Sequence, residues 1–399
     1  MFEVLDRTEI GSGDQARSLL DEVDLISSVS GSSFTAAYFG LHERGIFDER
    51  FLERNVTLGL TRRLLMPYNW ARLASPRFNR SDLAAEYYDE TLFGGAGIGA
   101  VSRPGQPQVE INATDLIGGN GFSFSHSQFL PLCSDGTDFP ISRAVAASSA
   151  VPVLLAPVTV RNYAGTCDFK PPEWLKTAYS ARDTIRRSFH SARHLFSYLE
   201  TFRNYIYLID GGISDNLGIR GPVEMTSLQG GISKVLGSAR SEHGRHVVFI
   251  TVNAQTTPDQ SFGLVDIAPD IAQILDWITS IQISNYNLET IELLQRSVER
   301  WDMELRLDQS RKGGSGDTGV NFYAIEISFE SHSSAEERRY LSSLPTSFKL
   351  TDATVTRLRQ AANAILTASP DYQRLIENLG PGESELQGDL ERQDRVGGE

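Results

Sequence analysis

The sequence predicts an α/β fold with a mainly parallel sheet, and three observations support that prediction. Apolar strand-like runs alternate with helical patterns along the 399 residues, an order typical of α/β architecture. The run HVVFITVNA at 246–254 has the nearly continuous apolar character of a central parallel strand. The run LISSVS at 25–30 leads through Gly31 into a helical pattern, so a strand, a tight turn and a helix follow one another.

Each further element is predicted from its own residues. Apolar, β-branched and aromatic runs predict strands or extended chain at 25–30, 108–116, 122–124, 153–160, 205–210, 246–254 and 320–329. Helical spacing of apolar or small residues predicts helices at 15–23, 34–42, 55–92, 141–150, 268–302, 334–341 and 352–368, with breaks at Pro67 and Pro76. The segment 381–399 is polar and charged, so we predict a disordered tail there.

The charge balance limits the partners of this chain. Its 51 acidic residues outnumber the 37 Lys and Arg residues, which gives a net charge of −14. Proteins that bind nucleic acid concentrate positive charge against phosphate, so we expect no nucleic-acid partner. The most basic segment, 181–193, is interpreted as a solvated helix face, with anionic lipid head groups as the alternative. The longest apolar run, 145–160, is too short for a membrane span and contains two prolines, so no transmembrane segment is predicted.

Two features bear on the cellular compartment. Cys133 and Cys167 are the only cysteines, and their spacing fits no zinc site, so no metal is predicted. They either pair in an oxidising compartment or are small buried apolar residues, and the second interpretation is preferred. The first ten residues, MFEVLDRTEI, carry acids where a secretory signal peptide has a positive flank and an apolar run. The chain therefore reads as cytoplasmic, whereas an upstream start with a secretion or lipoprotein signal would indicate export.

The first candidate for chemistry is Ser30, within SVSGS at 28–32. A nucleophile elbow places a serine on a strained strand-to-helix turn, where the residues two before and two after must be small. Serines occupy both of those positions, Gly31 permits close backbone approach, and the N-terminus of the following helix favours negative charge. Ser-Gly clusters before helices are more often caps and turns, so the local sequence alone favours a structural role.

The second candidate is Asp210, which ends an apolar strand and precedes Gly211 and Gly212. In α/β folds the sites lie at the carboxyl ends of strands, although Asp-Gly is also a common turn sequence. Ser30 and Asp210 both lie at the carboxyl ends of predicted strands, so one parallel sheet would bring them to the same edge. A serine needs a base to take its proton, and a carboxylate within hydrogen-bond reach can serve.

Three blocks in order resemble the bacterial patatin-like phospholipases: SSVSGSSFTAAYFGL at 27–41, AVAASSAVPVLLAPVTV at 144–160 and YLIDGGISDNLGIRGP at 207–222. The segments QVEINATDL and GFSFSHSQF between them also fit this family. The resemblance implies a three-layer α/β/α catalytic core at 1–225. It also leads us to expect a C-terminal α/β extension at 226–380 that packs on this core.

The resemblance further implies a Ser–Asp dyad that cleaves acyl esters of lipids. Ser30 would be the nucleophile and Asp210 the base, and no metal or organic cofactor would be needed. The residues expected to support the elbow or the oxyanion are Gly31, Ser32, Gly211 and Gly212. The substrate, a lipid or phospholipid, would be met at a membrane or micelle surface, and no protein partner is indicated.

The chain departs from the family pattern at its start. Patatin-like proteins normally begin with a strand and a glycine-rich loop whose N–H groups form the oxyanion hole. Residues 1–7 resemble the middle of the helix after that loop, so this N-terminal strand and loop are expected to be missing. Losing one oxyanion donor costs on the order of 10²–10³ in turnover. Two hypotheses follow: a start codon placed too late, or a catalytically impaired relative that binds lipid or protein. Neither 11–13 nor the glycine cluster at 94–99 is assigned as a replacement loop.

Other side chains are weaker candidates than these two. Ser33 also fits an elbow, but bulkier residues follow it, so Ser30 is preferred. A histidine-dependent esterase would use His243 or His246, which flank a strand start at the wrong end of the sheet and are interpreted as surface residues. We expect Ser148 and Ser149 to provide close helix packing. We expect Asp215 and Asn216 to set the turn after Asp210.

Overall fold

The structure, a computed structural model, describes residues 1–380 except 12–15, 49, 50, 52–55, 153, 183–185, 201, 239–244, 258–263, 265, 267, 312, 314–317 and 346–349. The predicted tail at 381–399 lies outside the described residues. The strands are β1 (Glu9–Ile10), β2 (Arg17–Ser18), β3 (Leu25–Val29), β4 (Gln108–Asp115), β5 (Gly121–Ser123), β6 (Val158–Arg161), β7 (Tyr205–Ile209), β8 (Arg245–Asn253) and β9 (Val320–Ser328).

Helices connect most of these strands. The first half of the chain contains α1 (Phe2–Arg7), α2 (Ser32–His42), α3 (Val56–Leu65), α4 (Pro67–Leu73), α5 (Arg80–Tyr88), α6 (His126–Phe129), α7 (Ile141–Ser148), α8 (Glu173–Ser180) and α9 (Arg186–Ser197). The second half contains α10 (Gly212–Asp215), α11 (Arg220–Leu228), α12 (Ile232–Ser238), α13 (Ile271–Arg311), α14 (Ala335–Ser342), α15 (Asp352–Ala368) and α16 (Pro370–Leu379). The predicted α/β class is therefore confirmed.

The sheet that carries both candidate residues is mixed rather than mainly parallel. Its order is β3-β4-β7-β6, with β5 also paired to β4. Only β3 and β4 run parallel, whereas β5 and β7 are antiparallel to β4, and β6 is antiparallel to β7. The short connection from β4 to β5 permits only an antiparallel pair, because a parallel pair needs a long crossover. The run at 246–254 does form a parallel strand, β8, but it pairs with β9 in a separate two-stranded sheet.

One apolar cluster joins the sheet to the C-terminal elements. Ile111 and Ala113 of β4 belong to the same buried cluster as Tyr323 and Ile325 of β9 and Leu366 of α15. Burial of a large aliphatic or aromatic side chain contributes about 1.5–3 kcal/mol, so this shared cluster stabilises both parts together. The division into a core at 1–225 and an extension at 226–380 stays a prediction.

Several elements differ from the sequence prediction, among them the segment 15–23 and helix α16. The predicted helix at 15–23 is wrong: Arg17–Ser18 pairs with β1, and Leu19–Glu22 forms one 3-10 turn. Leu19 and Leu20 are both buried there, and tertiary packing of two adjacent leucines outweighs a weak helical pattern. Helix α16 was not predicted, although Ser369 before Pro370 is a typical helix start.

The preferred interpretation of the two cysteines as buried apolar residues is wrong. Cys133 is half-buried and Cys167 is exposed, and the two are joined in a disulfide with Cα atoms 5.6 Å apart. The Tyr163 N–H donates to the Leu132 carbonyl over 3.1 Å, which brings the two cysteine segments side by side. Sequence spacing could not reveal this proximity, because the cysteines are 34 residues apart.

We expect removal of this disulfide to lower stability measurably. A cross-link that closes a loop of 34 residues contributes about 3–4 kcal/mol in the chain-entropy description. The double variant Cys133→Ser, Cys167→Ser should therefore unfold at a lower urea concentration. Its free energy of unfolding should be lower by about that amount. Thiol titration of the unfolded, unreduced protein should find no free thiol, and two free thiols would contradict the pairing.

Candidate active site

Ser30 occupies a strained elbow between β3 and α2. Its backbone φ is +54°, a region that non-glycine residues rarely adopt and that costs about 1–3 kcal/mol. The Ser32 hydroxyl closes the turn, since it accepts from the Val29 N–H at 2.9 Å and donates to the Val29 carbonyl at 2.7 Å. Residues in such strained conformations are concentrated at functional sites. The fold thus presents the half-buried Ser30 side chain at the top of a strand.

Ser148 holds the elbow in place. The Ser30 N–H donates to the Ser148 hydroxyl at 2.9 Å, and that hydroxyl donates to the Asn112 carbonyl at 2.6 Å. Close packing alone was expected of Ser148, so its hydrogen-bonding role was missed. The available signal was its place in the AASSAVP block. Ser33 is fully buried with its hydroxyl 2.8 Å from that of Ser148, so it does not face a substrate.

Asp210 lies beside the Ser30 hydroxyl. The Ser30 Oγ donates to Asp210 Oδ2 at 2.8 Å, and the Gly212 N–H donates to Asp210 Oδ1 at 2.8 Å. Burial raises the pKa of Asp210 to about 6, and the bonds from Ser30 and Gly212 partly oppose that rise. At neutral pH the carboxyl is therefore mostly ionised and can accept a proton.

The two side chains meet for a reason that differs from the predicted one. Strand β4 continues past the end of β3, since Val29 pairs with Asn112 and β4 ends three residues later. Strand β7 approaches β4 from the opposite direction and stops at Ile209, level with Thr114. The next residue, Asp210, consequently reaches the level at which β3 ends. Ser30 and Asp210 therefore do not meet at the shared edge of a parallel sheet. They meet because β3 and β7 run in opposite directions on either side of β4 and end facing each other.

Gly211 is required by the close approach of this loop to β4. A Cβ atom at Gly211 would lie 2.3 Å from the Asn112 carbonyl oxygen and 2.9 Å from Val29 Cγ1. Neither neighbour can move freely, because Asn112 belongs to β4, which is paired on both sides, and Val29 is buried in β3. The second glycine, Gly212, places its N–H on the Asp210 carboxylate.

We expect Gly211→Ala to lower the free energy of unfolding by about 2–3 kcal/mol, because overpacking against backbone is costly. Gly31→Ala is the matched control, since a Cβ atom there meets nothing within 4 Å, and its effect should stay within about 0.5 kcal/mol. Urea unfolding monitored by circular dichroism measures both values. Equal stabilities of the two variants would contradict the close approach described here.

Gly31 has the exposure expected of an oxyanion donor. It is exposed, and among the described residues no protein acceptor takes its N–H.

The residues around the other glycine clusters have different roles. Gly94 ends a π-helical turn at 89–93 that follows α5. The cluster is therefore a loop after a helix, as predicted, whereas an oxyanion loop would follow a strand. Positions 12 and 13 lie outside the described residues.

The structure does not bring His246 to this site. His246 lies in β8, which pairs with β9 and not with the sheet that carries Ser30. His243 lies outside the described residues. Asp215 sets the turn after Asp210 as predicted, because its Oδ2 accepts the Arg220 N–H at 2.7 Å.

The chain is similar to a known protein family. The family model described as patatin-like phospholipase matches residues 2–223, more than half of the chain. The chain belongs to the patatin-like phospholipase family. No curated protein matches the sequence.

The patatin-like region contains both Ser30 and Asp210 and all the residues that position them. The family consists of lipid acyl hydrolases, so membership supports a hydrolase that acts on lipids.

Helix α13 begins well after residue 223 and is not part of the match. In the described stretches of the chain, no helix combines the length and the apolar character needed to cross a membrane.

Proposed function

We propose that this patatin-like protein hydrolyses acyl ester bonds of lipids through a Ser30–Asp210 dyad. The observation that carries the proposal is the 2.8 Å hydrogen bond from the Ser30 hydroxyl to the Asp210 carboxylate at a strained elbow. A nucleophile within hydrogen-bond reach of a base that is itself held by another group is the arrangement that nucleophilic catalysis needs. Here the Gly212 N–H holds the base.

The reaction then proceeds in two halves. The Ser30 Oγ attacks the ester carbonyl carbon while its proton passes to Asp210 Oδ2, and a tetrahedral oxyanion forms. Asp210 returns the proton to the leaving alkoxide, the carbon–oxygen bond breaks, and an acyl-enzyme remains. Water attacks this acyl-enzyme while Asp210 takes its proton, and the proton returns to Ser30 as the fatty acid leaves.

Gly31 is proposed as one donor to the oxyanion. The N–H of the residue after the nucleophile serves this purpose in other elbow hydrolases. It also lies at the N-terminal end of α2, where the helix dipole favours negative charge. A single donor of this kind is worth about 2.7–4 kcal/mol in the barrier.

Release of fatty acid tests the proposal. The protein is incubated with phosphatidylcholine in mixed micelles and, separately, with a soluble p-nitrophenyl butyrate, beside its Ser30→Ala variant. We expect both substrates to be cleaved by the parent protein and neither by the variant. A folded parent that binds the micelles and releases no fatty acid would replace the proposal by the alternative, a patatin-like domain that binds lipid without cleaving it.

A further inference from the structure

The first three turns of α13 carry an apolar face that the described part of the chain leaves partly exposed to solvent. The residues of this face, which we call the α13 stripe, recur at helical spacing and are each 41–78% exposed: Ile271, Ile274, Leu275, Ile278 and Ile281. Continuing the same spacing, the face carries Asn285, Leu288 (62% exposed) and Glu289, so polar residues interrupt its apolar run. The stripe is therefore confined to one end of a 41-residue helix.

The opposite side of α13 packs on the loop that holds Asp210. A Cβ atom at Gly212 would lie 3.4 Å from Ile283 Cδ1, and the Arg220 Nε donates to Thr290 Oγ1 at 2.8 Å. Further along the helix, Leu294 and Trp301 are buried on this side. The core therefore packs on the later turns of α13, from Ile283 onward, and the stripe lies on the opposite face of the turns before them.

The charges in the chain segment that carries the stripe indicate what kind of partner fits. No Lys or Arg occurs between Arg245 and Arg296, although six acids do. Anionic lipid surfaces and phosphate groups are recruited through Lys and Arg, at about 1 kcal/mol for each residue near the surface. The stripe therefore suits a surface without net charge.

Composition and area argue against a second protein copy. The stripe contains only Ile and Leu, whereas the energetic centres of protein interfaces are rich in Trp, Tyr and Arg. A fully exposed Ile or Leu presents on the order of 100 Å² of apolar surface, so the stripe amounts to roughly 300 Å². A stable dimer buries about 800 Å² on each partner.

We infer that the α13 stripe is the surface through which this protein docks on a neutral, zwitterionic lipid interface. The choice of a lipid partner rests on the proposed function. Aliphatic side chains enter the boundary between head groups and acyl chains, while the other side of the same helix holds the Asp210 loop. Docking thereby brings the dyad side of the protein close to the lipid.

Vesicle flotation tests this inference with the Ser30→Ala protein, so that no lipid is consumed. The stripe variant is Ile274→Asp, Ile278→Asp, and the matched control is Leu307→Asp, at an exposed position (53%) on the other end of the same helix. We expect the stripe variant to bind phosphatidylcholine vesicles at least tenfold more weakly than the parent and the control to bind equally. Addition of phosphatidylserine should not tighten binding.

A second arm separates this inference from the proposed function. With Ser30 restored, the stripe variant should cleave soluble p-nitrophenyl butyrate at the parent rate and lose most activity on vesicles. Unchanged ester hydrolysis by Ser30→Ala would reject the dyad, while flotation would still decide the docking surface.

Three results would overturn the docking inference. One is a parent that does not bind phosphatidylcholine vesicles, and another is a stripe variant that binds them as tightly as the parent. The third is loss of binding by Trp70→Asp instead, because Tyr68 and Trp70 (72% and 58% exposed) form a separate apolar surface at the start of α4. A dimer that the stripe variant abolishes would assign the face to a second copy and equally reject the inference.

Discussion

Replacement of Ser30 by alanine is expected to lower kcat for ester hydrolysis by at least about 10⁴-fold, because removal of a nucleophile leaves only binding and oxyanion contributions. Asp210→Asn should cost about 10³–10⁴-fold, since its amide can still accept the Gly212 N–H but cannot take the serine proton. The two losses should not add in the double variant, because the residues act as one unit. Steady-state hydrolysis of p-nitrophenyl butyrate measures all three.

Ser149→Ala is the matched control for these variants. Ser149 is as buried as Ser148 and adjacent to it, but its hydroxyl donates to the Val145 carbonyl at 2.7 Å and not to the dyad. Its kcat should remain within about threefold of the parent value. A comparable loss in Ser149→Ala would mean that the Ser30 effect reflects disturbed packing rather than lost chemistry.

Asp210→Asn is expected to stabilise the protein at neutral pH although it lowers activity. The pKa of Asp210 rises from 3.8 to about 6 on folding, so the folded state holds the proton more tightly than the unfolded state. Between these two values stability falls as the pH rises, because the folded state binds more protons there. Above pH 6 the ionised carboxylate lowers the free energy of unfolding by its full amount. This amount is about 3 kcal/mol, since a tenfold difference in proton affinity corresponds to about 1.4 kcal/mol.

The asparagine side chain does not ionise, so the variant should gain about 1–3 kcal/mol at pH 7.5. At pH 5 the gain should be roughly half as large. Urea unfolding at the two pH values measures both gains. A variant less stable than the parent at pH 7.5 would contradict the buried, destabilising carboxylate described for Asp210.

The same ionisation sets the acid side of the activity profile. A base must be deprotonated, so kcat/KM should fall about tenfold for each pH unit below about 6 and level off above it. Asp215→Asn is the control, because burial also raises the pKa of Asp215 to about 6 but its carboxylate accepts from Arg220 and not from Ser30. The Asp215→Asn variant should show the same fall in kcat/KM at acid pH. If the fall disappears in this variant, the base is Asp215 and not Asp210.

Local sequence was sufficient to predict much of the fold. The strand at 25–29, the turn at Ser30 and helix α2 follow from small residues and a glycine between an apolar run and a helical pattern. Helix α15 has the predicted bounds, 352–368. These elements depend on neighbours in sequence, and so their patterns are visible without tertiary information.

What the sequence could not predict depends on distant contacts. The direction of β7 relative to β4 is decided by how the long intervening chain packs, and no local pattern encodes it. The hydrogen bonds of Ser148 to Ser30 and Asn112 join three separate segments. The proximity of Cys133 and Cys167 is of the same kind.

Covalent labelling of the nucleophile tests the Ser30–Asp210 dyad. The protein is treated with an alkyl fluorophosphonate, which reacts with activated serines, and the modified peptide is identified by mass spectrometry, beside Ser30→Ala and Asp210→Asn. We expect one adduct on Ser30, no adduct in Ser30→Ala and strongly slowed labelling in Asp210→Asn. An adduct on Ser33 or on another serine, or hydrolysis that persists without labelling of Ser30, would contradict the dyad.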